Sequence, residues 1–159
     1  YIVPLLLLLG CRKRELLDSQ WAHFDRERRV WRIPLSKTGK ARHVPLSADV
    51  SAILSQVPRW DDCPYVVPNP KTRKPYVSIF YSWDTARKQA GLPEVRMHDL
   101  RHSTASFLVN SGRSLYEVQK ILGHTQLKTT QRYAHLSQAT LLEAVDSLSA
   151  VSGLALATA

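Results

Sequence analysis

The 159-residue sequence has few acidic residues, and this shortage limits the kinds of partner it can have. It contains 13 Asp and Glu residues against 22 Lys and Arg residues, which gives a formal net charge of +9. A surplus of this size points to a polyanionic partner, most often nucleic acid and sometimes an anionic membrane surface. The alternative is a basic protein that uses its charge only to remain soluble.

Cysteine is also scarce. Cys11 and Cys63 lie far apart, and neither belongs to a CxxC or CxxH motif, so a structural zinc site is not expected. Two isolated cysteines are typical of free thiols in a reducing, cytoplasmic setting.

The sequence has no long hydrophobic segment. The most apolar stretch, YIVPLLLLLG, contains Pro4 and falls short of the roughly 20 apolar residues that a membrane-spanning helix needs. It also lacks the basic leader and the cleavage site of a signal peptide. We interpret residues 5–9 as the end of a buried core helix. Because the sequence begins with Tyr1 rather than Met, we expect the chain to be a fragment of a longer protein.

The pattern of the remaining residues predicts a mainly α single domain with one small antiparallel sheet (an α+β fold). Strands are expected at 30–33 and 43–46, joined by a turn, SKTGK, that carries two lysines. A proline-rich loop is expected at 58–76, with at most a short strand at 65–67. Helices are expected at 13–18, 48–57, 77–90, 98–110, 114–122, 126–134 and 137–148, with a tail after them.

The motif HDLRH offers two kinds of chemistry. His98 and His102 share a helical face, as the two histidines of the zinc motif HExxH do. Arg101 beside them would repel a cation, and no third ligand is obvious. His98 and Arg101 would instead present an imidazole and a planar guanidinium to one phosphate. The simpler alternative is a surface arginine beside a histidine that is satisfied by its backbone neighbours.

The other candidate residues are weak signals when taken singly. Arg12 follows an apolar helix, and Glu15 could hold it as an ordinary helical pair would. Lys37 at the hairpin tip is either solvated or able to reach into a groove. His124 follows a helix closed by glycine and could be structural. Tyr133 fits a core or an interface, and as a nucleophile it would need an electropositive pocket.

Taken in order, these motifs resemble the catalytic domain of the tyrosine recombinases, the phage integrase family, from about Leu5 to Leu136. LGCRKREL is similar to the family's TG-x-R-x-x-E-L box, and SKTGKARHVPL to its lysine hairpin. MHDLRHSTASFLVNSG matches the H-x-L-R-H box. LGHTQLKTTQRYAHL resembles the last box, in which the nucleophilic tyrosine follows the histidine by nine residues.

The resemblance implies cleavage and rejoining of double-stranded DNA through a 3′-phosphotyrosyl link, with no metal, ATP or other cofactor. Two arginines would bind the scissile phosphate, the lysine would protonate the 5′-oxygen, His98 would accept the tyrosine proton, and His124 would hydrogen-bond the phosphate. Glu15 would orient its basic neighbours. The six catalytic positions implied are Arg12, Lys37, His98, Arg101, His124 and Tyr133.

Family members carry an N-terminal core-binding domain, which is absent from this sequence. We therefore expect residues 1–159 to be a truncated catalytic domain, with 137–159 as a C-terminal helix and tail. The resemblance implies a tetramer on DNA, in which the segment after Tyr133 packs on a neighbouring protomer or folds back on its own domain. The isolated domain could be a monomer. It further implies a cytoplasmic, nucleoid-associated protein of a bacterium or phage that integrates or excises a mobile element.

Basic residues outside the site are expected to contact DNA phosphates collectively and to make binding salt-dependent, although each one alone is typical of a solvated charge. They are Lys40, Arg42, Lys71, Arg73, Lys74, Lys128 and Arg132. Three other functions fit parts of the pattern: a DNA-binding module without catalysis, a topoisomerase that reseals the same strand, and a zinc hydrolase that uses His98 and His102.

Overall fold

A computed structural model describes residues 1–34, 41–124 and 126–134 of the chain. Several predictions lie outside these ranges. They concern Lys37 as the general acid, Lys40 as a DNA contact, the turn of the hairpin, and the helix at 137–148 with the tail that follows it.

The described residues form a mainly α fold with one three-stranded antiparallel sheet, which confirms the predicted class. The strands are β1 (Phe24–Asp25), β2 (Val30–Ile33) and β3 (Arg42–Pro45), in that order across the sheet. None of the helices within the described ranges is long and apolar enough to cross a membrane. These helices are α1 (Ile2–Leu9), α2 (Lys13–Leu17), α3 (Ala48–Gln56), α4 (Phe80–Gln89), α5 (Asp99–Asn110), α6 (Leu115–Leu122) and α7 (Leu127–Gln131).

Two predicted helix starts are confirmed by their caps. The Ser47 hydroxyl accepts a hydrogen bond from the backbone N–H of Val50 at the start of α3. At the start of α6, Ser114 and Glu117 form a reciprocal capping box. Each cap satisfies backbone N–H groups that have no partner inside the helix.

Other boundaries differ from the prediction. Helix α4 begins at Phe80 rather than at 77, because the Ser78 hydroxyl accepts the Phe80 N–H and holds the preceding residues in a turn. Helix α7 ends at Gln131. Strand β1 was not predicted, since two residues show no periodicity; it is held by Phe24, whose ring stacks on Trp31 of β2 with 5.1 Å between centroids.

The hydrophobic core has two parts. In the larger part, α1 packs Leu5, Leu6 and Leu9 among buried side chains of α2, α3 and the sheet, including Trp31. The smaller part joins α5 and α6 and includes Tyr133 as a buried member. Apolar residues on one face of each helix therefore bring the segment after α7 onto the α5–α6 pair.

The end of α1 lies close to α5 and α6. Gly10 closes the helix in the left-handed region (φ 56°), and the Thr104 hydroxyl donates to the Leu7 carbonyl at 2.6 Å. A Cβ atom at position 10 would lie 2.7 Å from Cδ2 of Leu122 and 3.0 Å from Cγ2 of Thr104. The absence of a side chain at Gly10 therefore permits both the turn and the close approach of the helices.

This close approach predicts that Gly10→Ala destabilises the protein more than Gly91→Ala does. Both glycines have positive φ, but a Cβ at Gly91 would meet nothing within 4 Å. We expect Gly91→Ala to lower the free energy of unfolding by about 1 kcal/mol through backbone strain alone. Gly10→Ala should lower it by about 2–4 kcal/mol, since overpacking adds to the strain. Urea unfolding measures both values, and equal losses would contradict the close packing.

Candidate active site

Arg101 is a buried cation at the start of α5. Its side chain is 4% exposed, and its Nη1 donates to the Gly10 carbonyl at 2.5 Å, at the C-terminal end of α1. Arg101 forms no ion pair with any carboxylate in the ranges described. Burial, with the positive charges of Arg12 and Arg42, lowers its pKa to about 10. The guanidinium is therefore still charged at neutral pH, and an anion beside it would be stabilised.

Arg12 lies directly before α2 and is held by Glu15. The Glu15 carboxylate accepts the Arg12 backbone N–H at 2.7 Å and the Arg12 Nη1 at 2.8 Å. One side chain therefore fixes both the start of the helix and the direction of the guanidinium. The Arg12 side chain remains 28% exposed, so part of its donor set is open to a ligand.

Arg42 at the start of β3 is the second partner of Glu15. Its Nη2 donates to Glu15 Oε2 at 2.7 Å, and its Nη1 donates to the Ile121 carbonyl at 2.8 Å near the end of α6. The side chain is 11% exposed. The sequence predicted a contact between Arg42 and DNA, but these internal partners leave little free surface on which such a contact could form.

The pKa of Glu15 reflects these contacts. Burial acts to raise the pKa, but the charge of Arg42 and hydrogen bonds from Arg12 and Arg42 outweigh it and hold the pKa below its ordinary value. Glu15 is therefore ionised at neutral pH and balances part of the positive charge around it.

Gly123 allows Arg42 to reach the end of α6. It closes the helix in the left-handed region (φ 68°), and a Cβ atom there would lie 2.5 Å from Cδ and 2.8 Å from Nε of Arg42. The next residue, His124, is thereby placed beside the arginines. Burial, followed by the charges of Arg101 and Arg12, lowers the pKa of His124 to about 4. Its Nδ1 lies 2.9 Å from the hydroxyl of Thr130.

Tyr133 lies just after α7 with its hydroxyl 2.5 Å from Nδ1 of His102. Its side chain is buried among residues of α5 and α6. Burial raises the pKa of Tyr133, while the charges of Arg132 and Arg101 act in the opposite direction. His98, which the sequence predicted as the acceptor of the tyrosine proton, is an exposed residue whose ring packs edge-on against His102, with 4.9 Å between centroids.

The contact between His102 and Tyr133 was not predicted. Sequence reasoning treated His102 only as a second zinc ligand beside His98. One feature of the sequence could have indicated a role for His102. It directly follows Arg101 in the first turn of α5 and shares a helical face with His98. The spacing shows which face of α5 carries His102. It does not show that the turn after α7, with Tyr133, lies against that face.

An open groove of about 760 Å³ runs beside the arginines. Arg12 and His98 lie on its wall, together with Lys13 and Arg14 of α2 and with Trp31 of the sheet. Arg14 is neutralised by Asp18, whereas Lys13 has no ion pair in the ranges described. The groove therefore presents Arg12, Lys13 and His98 on one continuous wall.

In the part of the chain that the structure describes, the zinc alternative finds no third ligand. Among residues 1–34, 41–124 and 126–134, no group of three or more His, Cys, Asp or Glu side chains could hold a metal ion. His102 directs Nδ1 at a tyrosine hydroxyl, and positively charged Arg101 is next to it in the helix. A cation between His98 and His102 would therefore meet repulsion without the ligands to offset it.

The remaining predicted DNA contacts are mostly on the surface. Lys71, Lys74, Lys128 and Arg132 are exposed, as a phosphate contact requires. Arg73 stacks over the ring of Trp60, with 4.1 Å from its guanidinium carbon to the ring centroid. These roles in DNA binding stay predictions.

The sequence matches the phage integrase family over residues 1–140. The chain belongs to this family. It is 28% identical to the integrase of Salmonella phage P22 over 165 residues, which cover 96% of this chain and 43% of that protein. It is 32% identical to the tyrosine recombinase XerC of Corynebacterium glutamicum over 152 residues, which cover 90% of this chain and 48% of that protein. The chain thus spans about half the length of these relatives.

Solved structures of the family have the same fold. The catalytic domain of bacteriophage HP1 integrase matches with a TM-score of 0.68 and 26% identity, covering 91% of this chain and 79% of that one. XerA recombinase matches with a TM-score of 0.73 and 25% identity, covering 92% and 57%. XerH recombinase, bound to a palindromic difH substrate, shares the fold with a TM-score of 0.71, 24% identity and coverage of 91% and 44%.

The contacts of Glu15 predict a large effect of Arg42→Met. This change leaves a buried carboxylate, 6% exposed, with Arg12 alone, and we expect the free energy of unfolding to fall by about 3 kcal/mol. Arg32→Met is the matched control, because Arg32 lies exposed on the neighbouring strand, paired across the sheet with His43. Its effect should stay within about 0.5 kcal/mol. Similar losses for both variants would contradict the network.

The same pair of variants tests the charge of Glu15. A carboxylate with a depressed folded pKa contributes stability that is complete above its unfolded pKa of 4.5 and is lost as pH falls through the lower folded value. The difference in unfolding free energy between wild type and Arg42→Met should therefore shrink from pH 7 to about pH 3. A difference that stays constant with pH would show that packing, rather than the ion pair, makes the contribution.

Proposed function

We propose that this chain is the catalytic domain of a site-specific DNA recombinase that cleaves and rejoins strands through a covalent bond between Tyr133 and a 3′-phosphate. The observation that carries the proposal is the buried guanidinium of Arg101. It has no carboxylate partner in the ranges described, and its charge acts on the Tyr133 hydroxyl. A cation buried in this way favours an anionic ligand next to the tyrosine.

The balance of charges fits one phosphodiester. In the ranges described, the guanidinium groups of Arg12, Arg42 and Arg101 influence one another, and the carboxylate of Glu15 pairs with the first two and acts on the third only through its charge. Arg42 is engaged with protein on both Nη atoms, so Arg12 and Arg101 remain for the two non-bridging oxygens of the phosphate. Fixed cations of this kind stabilise the charge that develops on these oxygens in the transition state.

Tyr133 supplies the nucleophile. Its oxygen bonds to phosphorus while the bond from phosphorus to the 5′-oxygen breaks, and the leaving oxygen takes up a proton. We assign that proton to Lys37, on the resemblance of its hairpin to the lysine hairpin of the family. The phosphotyrosyl bond retains the energy of the phosphodiester, so a 5′-hydroxyl can attack it and reseal DNA without ATP.

His124 and His98, the two histidines of the family motifs, would then contact the phosphate. His124 has a pKa of about 4 and is neutral at neutral pH, so it acts as a hydrogen-bond donor rather than as a charge. Thr130 engages its Nδ1, which leaves Nε2 for a phosphate oxygen. Partial desolvation, followed by the charges of His102 and Arg101, lowers the pKa of His98, so it too would bind as a neutral ring.

The relatives guide the proposal about partners. XerH was solved on its difH substrate, and we propose double-stranded DNA as the substrate of this chain. The basic groove and the exposed residues Lys71, Lys74, Lys128 and Arg132 would contact its backbone. We also propose a tetramer on DNA, action on a phage or other mobile element, and a place in the cytoplasm beside the chromosome.

A covalent trapping assay tests the proposal. The substrate is a library of nicked duplexes with a randomised arm, in which the short 5′ fragment diffuses away after cleavage and leaves the protein joined to DNA. We expect adducts that survive denaturation, that sequencing assigns to a preferred site, and that form equally well with a chelator present. DNA binding without any adduct from the complete protein would exclude catalysis and favour the DNA-binding module.

Tyr133→Phe should abolish the adduct, because it removes only the attacking oxygen. Tyr81→Phe is the matched control, since Tyr81 is 84% exposed at the start of α4 and belongs to no part of the site. The control should form adducts at the wild-type rate. Adducts from Tyr133→Phe would overturn the assignment of the nucleophile. Joining of two different duplexes marks recombination, whereas relaxation of a supercoiled plasmid without exchange marks topoisomerase activity.

A further inference from the structure

We propose that His102 is the catalytic base of this site: it takes the proton from Tyr133 during cleavage and returns it during rejoining. The proposal rests on the proposed recombinase function and specifies one step of it. The sequence pointed to His98 for this step, but the geometry points to its neighbour on the same helical face.

Distance separates the two histidines. Nδ1 of His102 lies 2.5 Å from the Tyr133 hydroxyl, well within reach of proton transfer. No hydrogen bond joins His98 to Tyr133 in the ranges described; its ring contacts the ring of His102 instead. The backbone N–H of Tyr133 donates to the Thr130 carbonyl at 3.0 Å, so the turn itself directs the phenol towards α5.

The phenol needs a base. An unperturbed tyrosine has a pKa near 10, so fewer than about one molecule in 1000 is ionised at neutral pH. Burial raises the pKa of Tyr133 further, and Arg132 and Arg101 offset this only in part. A tyrosine in this environment therefore needs a base that removes its proton in the transition state.

His102 is in the correct protonation state to act. Burial is the largest cause of its lowered pKa, and the positive charge of Arg132 adds to it, so the ring is neutral at neutral pH. With the proton on Nε2, the lone pair of Nδ1 is free to accept. The charged and titratable groups that face His102 come from three places: Arg96, His98, Asp99 and Arg101 at or just before the start of α5, His124 after α6, and Arg132 and Tyr133 after α7. Asp99 is the one charged group among them that favours the imidazolium.

Every proton that moves in cleavage returns in rejoining. In cleavage, the Tyr133 oxygen bonds to phosphorus as its proton moves to Nδ1 of His102, and the 5′-oxygen leaves with the electron pair of the broken bond and a proton from Lys37. In rejoining, the incoming 5′-hydroxyl gives its proton to Lys37 and attacks phosphorus. The tyrosine oxygen then leaves and recovers its proton from the imidazolium of His102.

A single-turnover experiment tests this role on the duplex selected in the trapping assay. The complete protein is compared as wild type, His102→Asn and Arg101→Lys, each with tyrosine or with the more acidic 3,5-difluorotyrosine at position 133. Asparagine keeps a hydrogen-bonding atom near the place of Nδ1 but is not a base. We expect His102→Asn to slow cleavage about 100-fold. Difluorotyrosine should restore most of this loss, because an already acidic phenol no longer requires the base.

Arg101→Lys is the control for rescue. Its defect lies in holding the phosphate, so a more acidic phenol should not restore its rate. The rate of the wild type should rise as pH increases through the pKa of His102, which lies below 6.5, and then level off. His102→Asn should lack this plateau and keep accelerating towards alkaline pH, where hydroxide removes the phenol proton.

Two results would overturn the proposal. Cleavage by His102→Asn at the wild-type rate across the pH range would show that the base is elsewhere. A slow His102→Asn that difluorotyrosine fails to restore, with unfolding free energy unchanged, would show that His102 only orients the ring. Either result leaves adduct formation by the wild type intact, whereas a wild type that forms no adduct refutes the recombinase function itself.

Discussion

The arrangement of the arginines depends on the carboxylate of Glu15, which is shared between two of them, Arg12 and Arg42, from different elements. One oxygen pairs with the Arg12 side chain, while the other accepts the Arg12 backbone and the Arg42 guanidinium. Arg42 extends the connection to the Ile121 carbonyl, next to the loop that bears His124. A single buried anion therefore fixes the start of α2, the sheet strand β3 and the end of α6 relative to one another.

The second constraint is close packing at two glycines. Gly10 brings its carbonyl to Arg101 and its bare Cα to Leu122, and Gly123 accommodates the stem of Arg42. Both glycines use the left-handed conformation, which glycine adopts without strain. Gly10 places its carbonyl against Arg101, and Gly123 directly precedes His124. Steric exclusion at these points and electrostatic attraction at Glu15 act together, so the protein itself holds the arginines in place.

The sequence predicted the class of fold and most element positions, because serine caps, glycine stops and apolar periodicity are local signals. Ser47 and Ser114 cap two helices whose starts were predicted. The motif boxes predicted that Arg12, Arg101 and Tyr133 share one site. In the structure the charge of Arg101 acts on Tyr133, and that of Arg12 acts on Arg101, while their catalytic roles stay predictions. The confirmed predictions of helix starts come from residue types that have one dominant local use.

The partners of particular side chains could not be predicted. Whether Arg42 faces solvent or Glu15 depends on how β3 lies against α6, which no local pattern encodes. Likewise, the pairing of His102 with Tyr133 depends on how the turn after α7 sits on α5. Both contacts join segments far apart in the chain, 27 residues for Glu15 and Arg42 and 31 for His102 and Tyr133.

The bond between Arg101 and the Gly10 carbonyl spans 91 positions of the chain. A polypeptide that ends before Arg101 therefore cannot form this contact, and the proposed nucleophile, Tyr133, follows Arg101 by another 32 residues. During synthesis, a ribosome must release nearly the whole described domain before Tyr133 can join the arginines. Under the proposed mechanism, products of premature termination before Tyr133 would carry the basic surface without the nucleophile, so errors of translation would not yield a nuclease.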